Sequence, residues 1–467
     1  MNERHIAVIS DLHIGGRDPT SGRGFQMMSR PEVLARFVDE LGADELVING
    51  DFVDFLAEEG GTPGVWDPII EDPRRAAETF LRIANQSRFS VVFDALGRYL
   101  RRGRITILLG NHDIELSYAS VRDALFERVD GRERDLRFLY DGEAYAFDNA
   151  IIEHGNRYDR FNAVDHDGLR RYRSLASRRQ EASFSEIFTP PAGSCLVAEV
   201  MNPVKTLFPF VDLLKPEDAT VVPLLLALMP GLKWKAGKAL RALKHGVGGG
   251  TSKKRPDVPV RMSEVSTRGR ANDPAHDALV EALGEDEARA FARRVGLEAS
   301  QPLTDVSLRD KLPLARSIIN LLGADEAEPL EERLPAVLRA FRTIQSDRSF
   351  DLDYDEPSNG YRKAANALAA RGFDFVVFGH THHAKDYALD GGARYLNSGT
   401  WADLLRVPDA IVSGEDAEAL AALRTFAEDL TFDRFGPYIA FSPSYVELDV
   451  LGDRVTAART QVYTTDT

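Results

Sequence analysis

The stretch Gly379-His380-Thr381-His382-His383, read GHTHH, places three of the chain's ten histidines within five residues. It follows residues 373–378, FDFVVF, an apolar run with the length and composition of a buried strand. Four other apolar runs end in the same way, in residue types that bind metals or move protons. Residues 5–10 (HIAVIS) lead to Asp11 and His13, and residues 44–49 (DELVIN) lead to Gly50, Asp51 and Asp54. Residues 104–109 (RITILL) lead to Gly110, Asn111, His112 and Asp113, and residues 150–153 (AIIE) lead to His154 and Gly155. Short apolar runs bounded by glycine or polar turns read as buried strands. Helical patterns lie between the first of them: 31–41, with Pro31 in a first-turn position, and 73–102, with apolar residues at helical spacing. Strands alternating with helices predict a largely parallel sheet covered on both faces. Ligands of such sheets bind beyond the carboxyl ends of the strands. Every polar cluster sits at that end, so all five are expected to converge on one site.

The converging set is Asp11, His13, Asp51, Asn111, His154, His380 and His382. It offers carboxylate and amide oxygens and imidazole nitrogens, and no thiolate. That mixture suits Mn, Fe or Zn better than Mg or Ca, which prefer oxygen shells. Seven side chains are too many for one tetrahedral ion and suit two ions sharing a bridging carboxylate, the clamp used for in-line displacement at phosphorus. Two divalent ions, less two carboxylates and a hydroxide, leave a local charge of about +1, which attracts a phosphate ester. The chain as a whole carries −15.

The blocks DLH, GDFVD, GNHD, HG and GHTH, in that order, resemble the calcineurin-like metallophosphoesterase superfamily. The resemblance covers about residues 1–160 and 361–467 and implies a four-layer αββα sandwich. It implies one ion on Asp11, His13, Asp51 and His382, and a second on Asp51, Asn111, His154 and His380. A hydroxide between the ions would attack phosphorus, and of the candidate metals manganese is favoured. By the same resemblance His112 is the general acid and Asp54 the carboxylate that orients it; a helix-capping role for Asp54 is the plainer alternative. His383 matches no ligand position and is expected at the rim. With ligands and general acid complete, a hydrolase is expected rather than a catalytically silent metal-binding scaffold.

The resemblance is less specific about substrate. Serine/threonine phosphatases of the superfamily carry arginines where this chain has Phe55 and Leu109, which argues against that branch. The hydrolase that cleaves UDP-2,3-diacylglucosamine is similar in its GDxxD-plus-aromatic block and helical insertion, but has arginine where this chain has His112. Hydrolysis of a phosphodiester or pyrophosphate bond in an amphiphilic or nucleotide-linked substrate is therefore expected, with a phosphomonoesterase or nuclease as the alternative.

Between the blocks, the strand pattern stops after His154 and resumes near Tyr361. Residues 1–160 and 358–467 are expected to form the core and residues 161–357 a mainly helical cap. The cap's entry, HGNRYDRFN, sets Asn156, Arg157, Asp159 and Asn162 beside His154, where they either touch substrate or shape a loop-to-helix turn. Residues 394–401 (RYLNSGTW) read as a further strand and turn, and residues 448–455 as a closing hairpin around Gly452-Asp453. A single cysteine, Cys195, excludes an intrachain disulfide and fits a reducing compartment, and no apolar targeting run follows Met1. A cytoplasmic protein is expected. An acidic balance, pI near 5.3, argues against a chain-wide nucleic-acid footprint. Residues 219–256 depart from that balance: they hold no acidic residue, eight basic ones and a fourteen-residue uncharged opening, ATVVPLLLALMPGL. Two readings fit: a buried cap helix followed by a solvated basic face, or peripheral contact with an anionic membrane.

Overall fold

A computed structural model describes residues 3–17, 25–131, 135–159, 161–180, 183–206, 209–214, 334–335, 337–338, 342, 350–356, 359–432 and 434–464. Residues 219–256 lie outside that set. The chain divides into two units: Met1–Lys215, Ser346–Arg406 and Asp433–Thr467 form the first, and Pro216–Gln345 with Val407–Phe432 the second.

The first unit is built on two sheets. Strands β1 (Glu3–Ile9), β2 (Glu45–Asn49), β3 (Arg104–Leu108) and β4 (Leu136–Leu139) run parallel in the first. The second has β5 (Tyr145–Ala146), β6 (Ala150–Ile152), β7 (Phe375–Phe378), β8 (Ala384–Ala388) and β9 (Arg394–Ser398), in the order β5-β6-β7-β9-β8. The short pair β10 (Leu404–Leu405) and β11 (Ile439–Ala440) is separate. Strands β12 (Ser444–Leu451) and β13 (Arg454–Val462) extend the first sheet, whose order is β13-β12-β1-β2-β3-β4. The closing hairpin turns at Gly452, with φ of 68°, but its strands run well beyond residues 448–455. The extension follows from alternation, since Val446, Leu448 and Val450 all point into the core.

Period-two alternation separates the layers. In β1, Ile6 and Val8 face the second sheet, while Ala7 and Ile9 face helices. Those helices are α1 (Pro31–Glu40), α2 (Pro73–Ala84), α3 (Ser90–Tyr99) and α4 (Ala119–Arg128). In β7, Val377 joins the inter-sheet core, whereas Val376 and Phe378 pack outward with Tyr361, Ala365 and Leu368. The result is the expected αββα sandwich.

Residues 73–102 form two helices rather than one. Asp72 caps the first by accepting from Arg74 N at 2.9 Å, and Asn85 N ends it on Leu81 O at 3.0 Å. A single helix of that length would run ~45 Å, far past strands of five residues. The break turns Phe89 fully inward and lets both halves cover the sheet. Beyond His154 come α5 (His166–Ser177), α6 (Phe184–Ile187), α7 (Ala192–Leu196) and α8 (Asn202–Lys205). Leu169, Phe184 and Phe188 from this stretch are buried in the helix-side core of the first sheet. Helix α9 (Asn359–Ala369) returns the chain to β7.

The second unit contains α10 (Asp409–Ser413) and α11 (Asp416–Thr431). Arg342 ties them together, donating to Asp416 at 2.7 Å and to Ile411 O at 3.3 Å. Among the described residues, no helix is long and apolar enough to cross a membrane.

Candidate metal centre

The carboxyl ends of β1, β2, β3, β6 and β7 deliver the candidate residues to one place. Asp11, His13 and His382 form one group whose donor atoms lie within 4.8 Å of one another, and Asp51, His154 and His380 form a second. A third group joins His13, Asp54 and His112. His13 Nε2 lies 3.2 Å from His382 Nε2 and 3.8 Å from Asp51 Oδ2, and His154 Nε2 lies 3.1 Å from that same Asp51 oxygen. Asp51 therefore sits between the first two groups. Asp11, His13, Asp51, Asn111, His154 and His382 are all buried, and His380 is half-buried.

The backbone is strained where these residues stand. Asp11, His13, Asp51, His380 and His382 have φ of 55°, 46°, 50°, 71° and 63°. Among the described residues only Asp130 and Arg179 are other non-glycines with positive φ. Such conformations cost on the order of 1–3 kcal/mol each and persist only where surroundings enforce them. Here Asp51 O accepts from both Leu12 N and His13 N, at 2.9 and 3.0 Å, locking two strand-end loops together. The motif glycines make room for the side chains. A Cβ on Gly110 would stand 2.0 Å from Asp51 Oδ1, and one on Gly50 would stand 2.5 Å from the His154 ring.

A family model for calcineurin-like phosphoesterases matches residues 4–205. This chain carries a calcineurin-like phosphoesterase domain. The family consists of metal-dependent hydrolases of phosphoric esters. No curated protein matches the chain. The matched stretch contains Asp11, His13, Asp51, Asn111, His112 and His154. His380 and His382 lie beyond it and reach the phosphoesterase site because β7 pairs in parallel with β6.

The phosphoesterase site suits divalent cations. Asp11 Oδ1 and Asn111 Oδ1 are buried without a hydrogen-bond partner, an expensive arrangement unless a cation satisfies them. Imidazole and carboxylate donors in two adjoining groups match borderline transition ions. Burial disfavours charge on Asp51, but the imidazoles of His154, His112 and His13 outweigh it and hold that carboxyl well below the usual range. Burial likewise opposes charge on His154, yet Asp51 beside it pushes its pKa up to about 9.

His112 and Asp54 form a pair at the edge of the phosphoesterase site. His112 Nδ1 is 3.0 Å from Asp54 Oδ1, and its backbone N–H donates to Asp51 Oδ1 at 2.9 Å. Asp54 Oδ1 also accepts from Ala57 N at 3.1 Å, so one carboxylate both caps a short helix and meets the imidazole. Burial works against charge on Asp54, and His112 and His13 together drive its pKa far down. His383 is not at the rim: it is 3 % exposed, its ring edge-on to Phe350 at 5.3 Å. The apolar side chain that buries it lies at the far end of the insertion, outside any local pattern. Cys195 is partly buried, and burial, with Glu199 nearby, pushes its thiol upward.

Sequence motifs did not single out the residues that support this loop system. Ser10 Oγ donates to Asp11 Oδ2, and Thr400 Oγ1 donates to Asp11 O at 2.7 Å. Glu356 accepts from Thr381 Oγ1, within GHTHH, at 3.0 Å. Ser10 and Thr400 adjoin recognisable strands, but Glu356 ends the acidic run DLDYDE, which belongs to none of the motif blocks.

Proposed function

We propose that the protein hydrolyses a phosphodiester or pyrophosphate bond with His112 as general acid and two divalent ions, manganese preferred, in the cluster. Asp11, His13, Asp51 and His382 would hold one ion, and Asp51, Asn111, His154 and His380 the other. When bound, the ions supply positive charge to the phosphoryl oxygens and acidify the attacking water. The observation that carries the reading is the His112 Nδ1···Asp54 Oδ1 contact of 3.0 Å beside the shared carboxylate of Asp51. With Nδ1–H donated to Asp54, the transferable proton sits on Nε2. Asp54 favours the charged ring and holds its orientation, so that Nε2 protonates the leaving oxygen as the phosphorus–oxygen bond breaks. Asp51 stabilises charge on both halves of the cluster.

The domain division belongs to the same reading: residues 1–160 and 358–467 as the catalytic core, 161–357 as a mainly helical cap. An amphiphilic or nucleotide-linked substrate is supported by the length of the insertion. A cytoplasmic location is supported by the single cysteine. The test is activity of Mn-loaded protein against monoester, diester, cyclic-nucleotide and UDP-lipid substrates. Turnover is expected on diester or pyrophosphate bonds. Faster cleavage of monoesters would make it a phosphomonoesterase, and cleavage of DNA or RNA a nuclease. Inactivity on every class, with metal bound, would leave a silent scaffold.

A further inference from the structure

We propose that Asp159, just before the insertion, and Glu356, at its end, are positioning residues that fix the loop 379–383 and thereby set metal affinity. The inference rests on the two-ion reading above.

Asp159 Oδ2 lies 3.3 Å from His380 Nε2. The carboxylate is itself held: Oδ1 accepts from Phe161 N at 2.9 Å, and Oδ2 from Asn162 Nδ2 at 2.7 Å. Asn162 Oδ1 in turn accepts from Asn111 Nδ2 at 3.5 Å. One short polar chain therefore reaches candidate ligands at the ends of two different strands. A carboxylate on one ring nitrogen of a histidine fixes the tautomer, leaving the other nitrogen as the basic donor a metal requires. In His380 that remaining donor is Nδ1.

Glu356 works on the same loop from the other side. It is 5 % exposed, and its Oε1 accepts from Tyr395 OH at 2.7 Å, Thr381 Oγ1 at 3.0 Å and Asn397 Nδ2 at 3.3 Å. Asn397 Nδ2 also donates to Gly379 O at 2.8 Å. Thr381 stands between His380 and His382, whose φ values of 71° and 63° the loop would not adopt unaided. Three donors on one buried oxygen are an anchor against that strain. Both anchors come from the segments where chain leaves for, and returns from, the insertion.

The test uses the full chain with Asp159→Ala, Asp159→Asn, Glu356→Ala and Thr381→Val. Mn²⁺ stoichiometry and affinity are read by competition with a chelating dye, the melting temperature on EDTA-treated protein, and kcat and KM on bis(p-nitrophenyl) phosphate. Asp159→Ala is expected to weaken one of two ions by ~10–100-fold, the usual effect of losing a histidine's outer partner, while the metal-free protein still unfolds in one cooperative transition. Asp159→Asn should recover part of this, because its amide oxygen still accepts from His380. Glu356→Ala should weaken binding as well. Should it fail to fold, Thr381→Val, which keeps the volume and removes one donor, is expected to weaken Mn²⁺ several-fold. Wild-type affinity in both Asp159→Ala and Thr381→Val overturns the proposal. A rise in KM alone makes Asp159 a substrate contact and overturns its positioning role. Wild type that takes up no Mn²⁺ overturns the two-ion reading itself; wild type with two ions beside unaltered variants overturns only the positioning.

Discussion

Asp51 shows how much one side chain is asked to do. Its Oδ2 is 3.1 Å from His154 and 3.8 Å from His13, and its Oδ1 accepts the backbone N–H of His112. Replacing one carboxylate oxygen by an amide removes the charge that both halves of the cluster share. Asp51→Asn is expected to lower metal content from near two ions per chain to one or fewer, measured by elemental analysis, and turnover should fall with it. His112 is different, because it lies outside the proposed ligand set. His112→Ala should retain both ions and lose ~10²–10⁴-fold in kcat, the usual size of general acid catalysis. The loss should be larger for alkyl than for nitrophenyl leaving groups, since a good leaving group needs no proton. Equal losses on both would remove the acid role.

At the scale of elements, the sandwich depends on which face each strand residue takes. Leu448 in β12 is 1 % exposed between the two sheets, whereas Leu451 at the strand end is 40 % exposed. Leu448→Ala is expected to cost ~2–5 kcal/mol of stability and Leu451→Ala about 0.5 kcal/mol or less, both read by urea unfolding. Helix α5 supplies a pH dependence. His166 at its first position is half-buried, and the partial burial of its ring, reinforced by Arg157 and Arg173, lowers its pKa to about 4. Its Nδ1 has no hydrogen-bond partner. The unfolded chain binds this proton from about pH 6.5 downward, whereas the folded chain waits until about pH 4. The contribution of His166 is therefore complete above pH 6.5 and is lost as pH falls toward 4. His166→Gln should show a shallower fall in unfolding free energy between pH 6.5 and 4 than wild type, because subtracting the two profiles cancels the carboxylates. Identical profiles would show that the ring is solvated in solution.

For the whole molecule, the choice of partners turns on residues 219–256, with eight basic residues inside a chain of −15. If this segment contacts anionic lipid, each basic residue near the surface adds ~1 kcal/mol, and binding must fall with salt. Vesicle sedimentation of wild type and a Lys233/Lys235/Lys238→Glu variant at low and high salt checks it. Salt-sensitive binding to anionic vesicles, lost in the variant, is the expected outcome of membrane contact. Wild type that stays in the supernatant at low salt makes the segment cap core.

The five motif blocks were readable because each lies immediately after a strand, and strand chemistry is local: apolar runs of five or six residues closed by glycine. Donor types, the layered α/β class and the phosphoesterase family all follow from such local text. Other features are set by partners distant in the chain. Asn149 and Asp374, 225 positions apart, are hydrogen-bonded where β6 meets β7, and that pairing brings His380 and His382 to Asp11 and Asp51. The split of residues 73–102 into α2 and α3 answers to the size of the sheet beneath, and the burial of His383 answers to Phe350. Glu356 ends the acidic run DLDYDE, and it is buried against Tyr395 and Asn397, which lie about forty positions further along the chain. Sequence alone thus determined which donor types gather at the strand ends. Tertiary structure decided which are held, and by what, because backbone strain and desolvation are properties of surroundings that only long-range packing creates.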